Sequence, residues 1–369
     1  MYTRQSTPRS HTTPSRNNPP VTYGAIAALA IVGSALMPAH VSRAAVAGTK
    51  RANVDIVMIP KNTADPFFSA ISHGMTLAAE AAHGGYQYYG TAEPSVPGQV
   101  ALIRSVAAKS GVSAITISAN DPAAPVPALD AAKARGIKIV GYDADVQRQA
   151  RTVFVEDAPT PAFAGGQLTL LAQELHYRGT FAIISAEPTA SNQNLWIAYM
   201  KKMLKTPAYR HMRLLDVLYG NDQTSQSYQA TVTLLDKYPH INGIIAVTPV
   251  ALDAAAKVLQ SDNKVGTVAL TGLGFPPDDA NLLKSGVVKA YVFDDPNRIG
   301  YVTYYAALAV VRGQITGAPG QVFTAGKLGK FTVGPHGDVI AGPAIVFTAK
   351  NVASYLASDF QTTWHDVRP

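Results

Sequence analysis

The chain has 369 residues, 47% of them apolar, and no cysteine; that length holds two ordinary domains with ample core, and the missing thiols exclude a disulfide scaffold and a cysteine-anchored lipoprotein. The formal charge is +7, but Arg4, Arg9, Arg16, Arg43, Lys50 and Arg51 lie in the first 52 residues without an Asp or Glu, and removing them leaves +1. The basic balance therefore belongs to a leader and gives no support for a nucleic-acid surface, which needs Lys and Arg clustered on the folded part.

That leader runs from a polar, Arg-bearing start into the uncharged stretch Tyr23 to Met37 and then small residues from Ser42 to Ala47. This is the order of a secretory signal peptide, and the apolar segment is short for a membrane span, which needs about 20 residues. Ala45 and Ala47 form an A-x-A cleavage pattern, so residues 1–47 are expected to be removed, with a cut after Ala44 as the alternative.

From Val54 onward, short apolar runs alternate with longer stretches of helical spacing rich in Ala, Leu and Lys. The first series of runs is Val54 to Ile59, Tyr86 to Tyr89, Ala114 to Ser118, Ile137 to Tyr142 and Thr152 to Val155. The second is Thr180 to Ser185, Met212 to Tyr219, Gly243 to Val247, Thr267 to Leu270 and Val287 to Phe293. Near-continuous apolar strands alternating with helices predict α/β domains with parallel sheets covered on both faces, and two series predict two doubly wound lobes. Asp65-Pro66 opens a helix with proline in its first position, and Pro97, Pro125, Pro249 and Pro276 do the same elsewhere. A helix is expected from Tyr304 to Arg312, followed by loops and short strands over Gly313 to Gly342 that return to complete the two lobes.

In open parallel sheets a ligand sits beyond the carboxyl ends of the strands, where helix N-termini aim their N–H groups at the gap. The residues that follow the strands are therefore the candidates. They include Lys61, Asp65, Phe67 and Phe68 after the first run, Asn120 after the third and Asp143 with Asp145 after the fourth. Asn192, Gln193 and Trp196 follow the run ending at Ser185; Thr248 and Pro249 follow Val247; Asp294 follows Phe293. Amides, carboxylates and one ammonium satisfy hydroxyls that both donate and accept, and an aromatic face suits the C–H side of a sugar ring. Strand-end polar residues also serve as helix caps and turn formers, and Phe67, Phe68 and Trp196 also suit a core. Neither G-x-G-x-x-G nor G-x-x-x-x-G-K-[ST] occurs, and the histidines lack H-x-x-x-H or similar spacing, so neither a nucleotide cofactor nor a metal is expected.

The motifs IPKNTADPFF (Ile59 to Phe68), TAEPSVPGQV (Thr91 to Val100), GYDAD, TASNQNLW (Thr189 to Trp196), YGNDQ, GIIAVTP and LTGLGFP together resemble type I periplasmic solute-binding proteins of sugar ABC importers. The similarity is nearest to the rhamnose-binding and autoinducer-2-binding groups. It implies ligand contacts from Lys61 and Asp143 in one lobe and from Asn192 and Gln193 in the other. Where autoinducer-2 binders resemble this stretch they carry aspartate at the position of Asn192, and proline and alanine at the positions of Val247 and Pro249, which favours a rhamnose-like deoxyhexose over autoinducer-2. The resemblance further implies lobes of residues 53–156 plus 295–330 and 157–294 plus 331–369, joined by three crossings near Glu156 to Pro161, Phe293 to Pro296 and Phe331 to Pro343. It implies a periplasmic monomer that closes on sugar and docks on an inner-membrane ABC permease. The competing class, a periplasmic sugar-modifying enzyme using Asp143 or Asp294 as acid or base, lacks a paired nucleophile and base, a metal set or a cofactor motif.

Overall fold

The computed structural model describes residues 54–357; the expected signal peptide at 1–47 lies outside the described residues. The first lobe is laid down as β1 (Asp55–Ile59), α1 (Pro66–Ala82), β2 (Gly85–Tyr88), α2 (Val96–Ala108), β3 (Val112–Ile117), α3 (Val126–Ala134), β4 (Lys138–Tyr142) and β5 (Val153–Glu156). The second comprises α4 (Thr160–Glu174), β6 (Arg178–Ser185), α5 (Ser191–Met203), β7 (His211–Tyr219), α6 (Thr224–Lys237), β8 (Gly243–Ala246), α7 (Pro249–Ser261), β9 (Ala269–Gly272), α8 (Pro276–Lys284) and β10 (Ala290–Phe293). The chain then returns through α9 (Pro296–Val311), β11 (Val322–Thr324), β12 (Lys330–Thr332), β13 (Asp338–Ile340), β14 (Ile345–Thr348) and α10 (Val352–Ala357).

Alternation along the strands builds two cores per lobe. Ile56 and Met58 of β1 face α1 and α9, while Val57 and Ile59 face α2 and α3, and all four are fully buried. In β6, Ala182 and Ile184 pack toward α6 and α7, and Phe181 and Ile183 toward α4 and α5. Successive side chains point to opposite faces of a strand, so a strand buried on both sides has to be apolar throughout.

The first sheet is ordered β13-β5-β4-β3-β1-β2 and the second β7-β6-β8-β9, with every pairing in both parallel. In each, the first strand of the lobe lies between the second and the third. The connections from β1 and β3, and from β6 and β8, therefore leave in opposite directions and open a crevice at the strand ends. The run ending at Phe293 differs from the sequence reading: β10 pairs antiparallel with β14 and joins the second sheet only through a bridge between Leu273 and Val292.

Three segments cross between the lobes: β5 to α4, β10 to α9, and β13 to β14. The third falls at the end of the stretch Phe331 to Pro343 expected for it. Asp338–Ile340 pair with Phe154–Glu156, so residues up to Ile340 stay with the first sheet instead of leaving it at Phe331. Helix α9 runs back over the first sheet and crosses α1 at two glycines. A Cβ on Gly74 would lie 1.9 Å from the carbonyl oxygen of Asn297, and one on Gly300 would lie 1.9 Å from that of Ile71. The close approach lets Phe68, Ile71 and Met75 of α1 bury against Ile299 and Val302 of α9, each large side chain contributing about 1.5–3 kcal/mol.

Candidate functional site

The strand ends of both sheets converge on one cleft. Its inner part is lined from the first lobe by Lys61, Asp65, Phe67, Phe68 and Asp143. The second lobe supplies Asn192, Gln193, Trp196, Asp222, Thr248, Pro249 and Leu273, and Asp157 and Asp294 lie on the crossings.

The turn after β1 is held by its own side chains. Asn62 Oδ1 accepts from the Asp65 N–H at 2.8 Å, and Asp65 Oδ1 accepts from the Phe67 N–H at 2.9 Å, capping α1 ahead of Pro66. Lys61 is thereby swung inward and is only 2% exposed. Burial acts to lower its pKa, yet the value is raised, because Asp143, Glu187, Asp222 and Asp65 together outweigh that cost. Behind Lys61, Asn120 Nδ2 donates to the Lys61 carbonyl at 3.0 Å. Gln99 Nε2 donates to the carbonyls of Pro60 and Ser118, both at 2.8 Å. These bonds tie the ends of β1 and β3 together across the switch point.

Phe67 and Phe68 meet edge to face at 5.5 Å; both line the cleft and both belong to the first-lobe core. Trp196 is likewise shared, its ring tilted against Phe163 at 4.6 Å in the second-lobe core. The opposition between core and site is thus not a real alternative for these aromatics: the cleft wall is the end of the core.

Asp143 sits directly after β4 with φ at 54°, a left-handed conformation that costs a non-glycine residue about 1–2 kcal/mol. Ser118 Oγ donates to its Oδ2 at 2.5 Å and Asn192 Nδ2 to its Oδ1 at 2.7 Å. The second of these bonds spans the lobes. So do Ser191 Oγ to the Asp145 carbonyl at 2.9 Å and Thr189 Oγ1 to the Asn120 carbonyl at 2.7 Å. The lobes are shut. Gln193 Oε1 accepts from Ser185 Oγ and the Ala186 N–H, both at 2.8 Å, which leaves Nε2 as its free donor.

Five carboxyls, of Asp65, Asp143, Asp157, Asp222 and Asp294, share the lining with the single ammonium of Lys61. Burial pushes Asp65 up to about 6, and Asp222 up to about 8 against the pull of Lys61. Burial, then the charge of Asp143, pushes Asp294 up to about 7; the same two causes, with Asp294 added, raise Asp157 well above the ordinary range. Such a surface accepts hydrogen bonds from many directions. Among the described residues no group of three or more His, Asp or Glu is arranged to hold a metal ion. Outward of Asp65 and Asp222 the cleft widens into a mouth bordered by Asn62, Glu93, Gln223 and Val250.

Of the residues named from the sequence, Lys61, Phe67, Phe68, Asp143, Asn192, Gln193, Trp196, Pro249 and Asp294 line the cleft. Three do not. Asp145 accepts from the Arg151 guanidinium at 2.6 and 2.8 Å, Asn120 braces Lys61 from behind, and Val247 is fully buried in the core beside Phe181 and Ile245. Val247 still continues the strand ladder, its N–H donating to the Ile184 carbonyl at 3.0 Å, and its side chain points into the layer under α4 and α5. Asp65 and Thr248, both strand-end candidates, also line it, whereas Asp157, Asp222 and Leu273 line it without having been named. Each of these three lies within a few residues of the end of β5, β7 or β9, so the strand-end rule applied to every strand would have reached them.

Residues 56–315 match the family model described as a periplasmic binding protein domain. An ABC transporter solute-binding protein from Clostridium phytofermentas with bound L-rhamnose is similar, at 31% identity and a TM-score of 0.79 over 83% of this chain and 99% of that one. A sugar ABC transporter from Actinomyces odontolyticus is 34% identical, with a TM-score of 0.66 over 82% of this chain and 97% of its own. LsrB from Clostridium saccharobutylicum in complex with AI-2 is 22% identical at a TM-score of 0.75, covering 82% and 99%, and speaks for the fold alone.

Proposed function

Since the chain belongs to the periplasmic binding protein domain family, we propose that it is the exported solute-binding component of a sugar ABC importer, taking a rhamnose-like deoxyhexose between its lobes. The observation that carries this reading is the convergence on one cleft of Lys61 and Asp143 from one lobe with Asn192 and Gln193 from the other. The L-rhamnose bound to the Clostridium phytofermentas relative supports the choice of sugar. The lining fits it chemically: carboxylates and amides for ring hydroxyls, and Phe67, Phe68, Trp196 and Leu273 for the C–H face and a methyl group.

Contacts from both lobes exist together only when the cleft is shut, so a sugar shifts the open–closed equilibrium by its difference in affinity for the two states. The three crossings let the lobes swing as bodies. The shut form, as a monomer in the periplasm, is what an inner-membrane permease reads.

A thermal-shift screen over monosaccharides, deoxy sugars, polyols and autoinducer-2, followed by calorimetry, tests the reading. Saturable binding of L-rhamnose with unchanged sugar recovered afterwards is the expected result. Preference for autoinducer-2 would move the protein to the signalling side of the same fold, and turnover of any sugar would make it an enzyme.

A further inference from the structure

Asp157 and Asp294 are the carboxyls that the two lobes bring together at the crossings. Asp157 opens the segment from β5 to α4, and Asp294 the segment from β10 to α9. They are 5% and 0% exposed, and both face the cleft. Yet Asp157 Oδ1 and both oxygens of Asp294 find no hydrogen-bond partner of normal geometry among the described residues. Asp143, by contrast, has its donors in Ser118 and Asn192. The groups that bear on the crossing pair are each other and Asp143, with Glu156 acting on Asp157 and, for Asp294, Asp295 and its own backbone N–H. With both groups pushed toward their neutral forms the pair can hold one shared proton, but one proton leaves most of its oxygens without a donor, and a buried acceptor without a donor costs free energy.

We propose that Asp157 and Asp294 form a donor-demanding pair that selects ligand by charge: neighbouring ring hydroxyls donate to them, and a sugar that brings a carboxylate or phosphate is refused. The proposal rests on the sugar-binding reading above and adds a residue, Asp157, and a specificity to it. A neutral polyol supplies the missing donors. An anionic sugar brings further acceptors where donors are short, and its charge enters a weakly screened lining in which burial already disfavours carboxylate anions and Lys61 is the one cation. The position of the pair adds coupling to the lobes, because each carboxyl lies on a segment that bends during closure. Closing around hydroxyls satisfies the pair, whereas closing on nothing strands it.

The test uses the mature chain, with L-rhamnose as probe in calorimetry and D-galacturonate and D-glucuronate as competitors. Asp157→Asn and Asp294→Asn keep the shape and add an amide donor where an acceptor is needed, so each is expected to weaken L-rhamnose by about tenfold or more. The ligand-free variants are expected to melt at the same temperature as the parent or higher, since each loses a buried, unpaired carboxyl. The hexuronates are expected not to displace L-rhamnose. Unchanged affinity in both variants, or displacement by a hexuronate at concentrations comparable to L-rhamnose itself, overturns the pair's role while leaving the sugar-binding reading intact. A parent protein that binds no neutral sugar overturns that reading first, and the pair's role with it.

Discussion

Asn192 Nδ2 donates to Asp143 Oδ1 across the cleft at 2.7 Å, joining a helix start of one lobe to a strand end of the other. The acceptor is held in place by Ser118 and by a left-handed backbone, so the carboxylate is preorganised before anything reaches it. Asp143→Ala removes an acceptor that two elements are built to position. L-Rhamnose affinity is expected to fall by about 1.5–3 kcal/mol, the scale for a hydrogen bond to a charged group. Calorimetry on the variant measures it; affinity within twofold of the parent would take Asp143 out of the site.

The crossing of α1 and α9 makes a prediction first of all about stability. Gly300→Ala places a methyl 1.9 Å from the Ile71 carbonyl oxygen, and the atoms in the way are backbone, which cannot turn aside. The helices have to separate, loosening Phe68 and Met75 from Ile299 and Val302. Overpacking of this kind costs about 1–3 kcal/mol, read from the midpoint of denaturant unfolding at constant slope. Because α1 also carries Phe67 and Phe68 to the cleft wall, the same variant is expected to bind sugar more weakly.

Much of this was legible beforehand, and the reasons are specific. All ten apolar runs became strands, nine of them in the two parallel sheets, where the inner strands read as near-continuous apolar runs because both their faces are covered. The antiparallel partner of β10 was not legible: β14 is four residues long with Val346 42% exposed, and apolarity does not encode which strand pairs with which. In the site, Lys61 and Gln193 stood out because a polar residue at a strand end or helix start has few other uses at full burial. Asp222 did not, since Asn221 and Asp222 both adopt positive φ, and a turn of that shape selects the same residue types with or without a ligand. Val247 misled because an apolar residue at a strand end gives no sign of which face it takes.

Acidity is expected to stabilise the protein over a defined window. Asp279 is 2% exposed in the second lobe, where it accepts from the Phe275 N–H at 2.7 Å, and burial pushes its pKa up from 3.8 to about 7. Between those values the folded chain holds a proton that the unfolded chain has released, so stability falls as pH rises from about 4 to about 7 and is highest on the acid side. Asp295, pushed up to about 6 by burial, acts in the same sense. The exposed pair of Asp216 and Lys237 acts oppositely, but solvent-exposed pairs are weak. The melting temperature of the ligand-free protein is therefore expected to be higher at pH 5 than at pH 7.5, and Asp279→Asn to flatten the difference. A melting temperature that climbs from pH 5 to pH 7.5 in the parent would contradict this account of the buried carboxyls.

Lys61 gives the sharpest separation of electrostatics from packing. Its ammonium is buried among Asp65, Asp143, Glu187 and Asp222, and no other lining residue of the inner cleft is cationic. Lys61→Met keeps most of the side-chain volume and deletes the charge, leaving the carboxylates uncompensated. Removing the compensating charge from buried carboxylates is destabilising, but the penalty depends on pH, because carboxyls that lose their cation take up protons instead. The loss relative to the parent should be largest near pH 8, where Asp65 and Asp294 are ionised, and should shrink toward pH 5, where protonation removes the charges that Lys61 was balancing. Paired denaturation curves at the two pH values measure the difference. An equal loss at both would mean that Lys61 holds the turn after β1 by packing, and that the acidic lining does not depend on it.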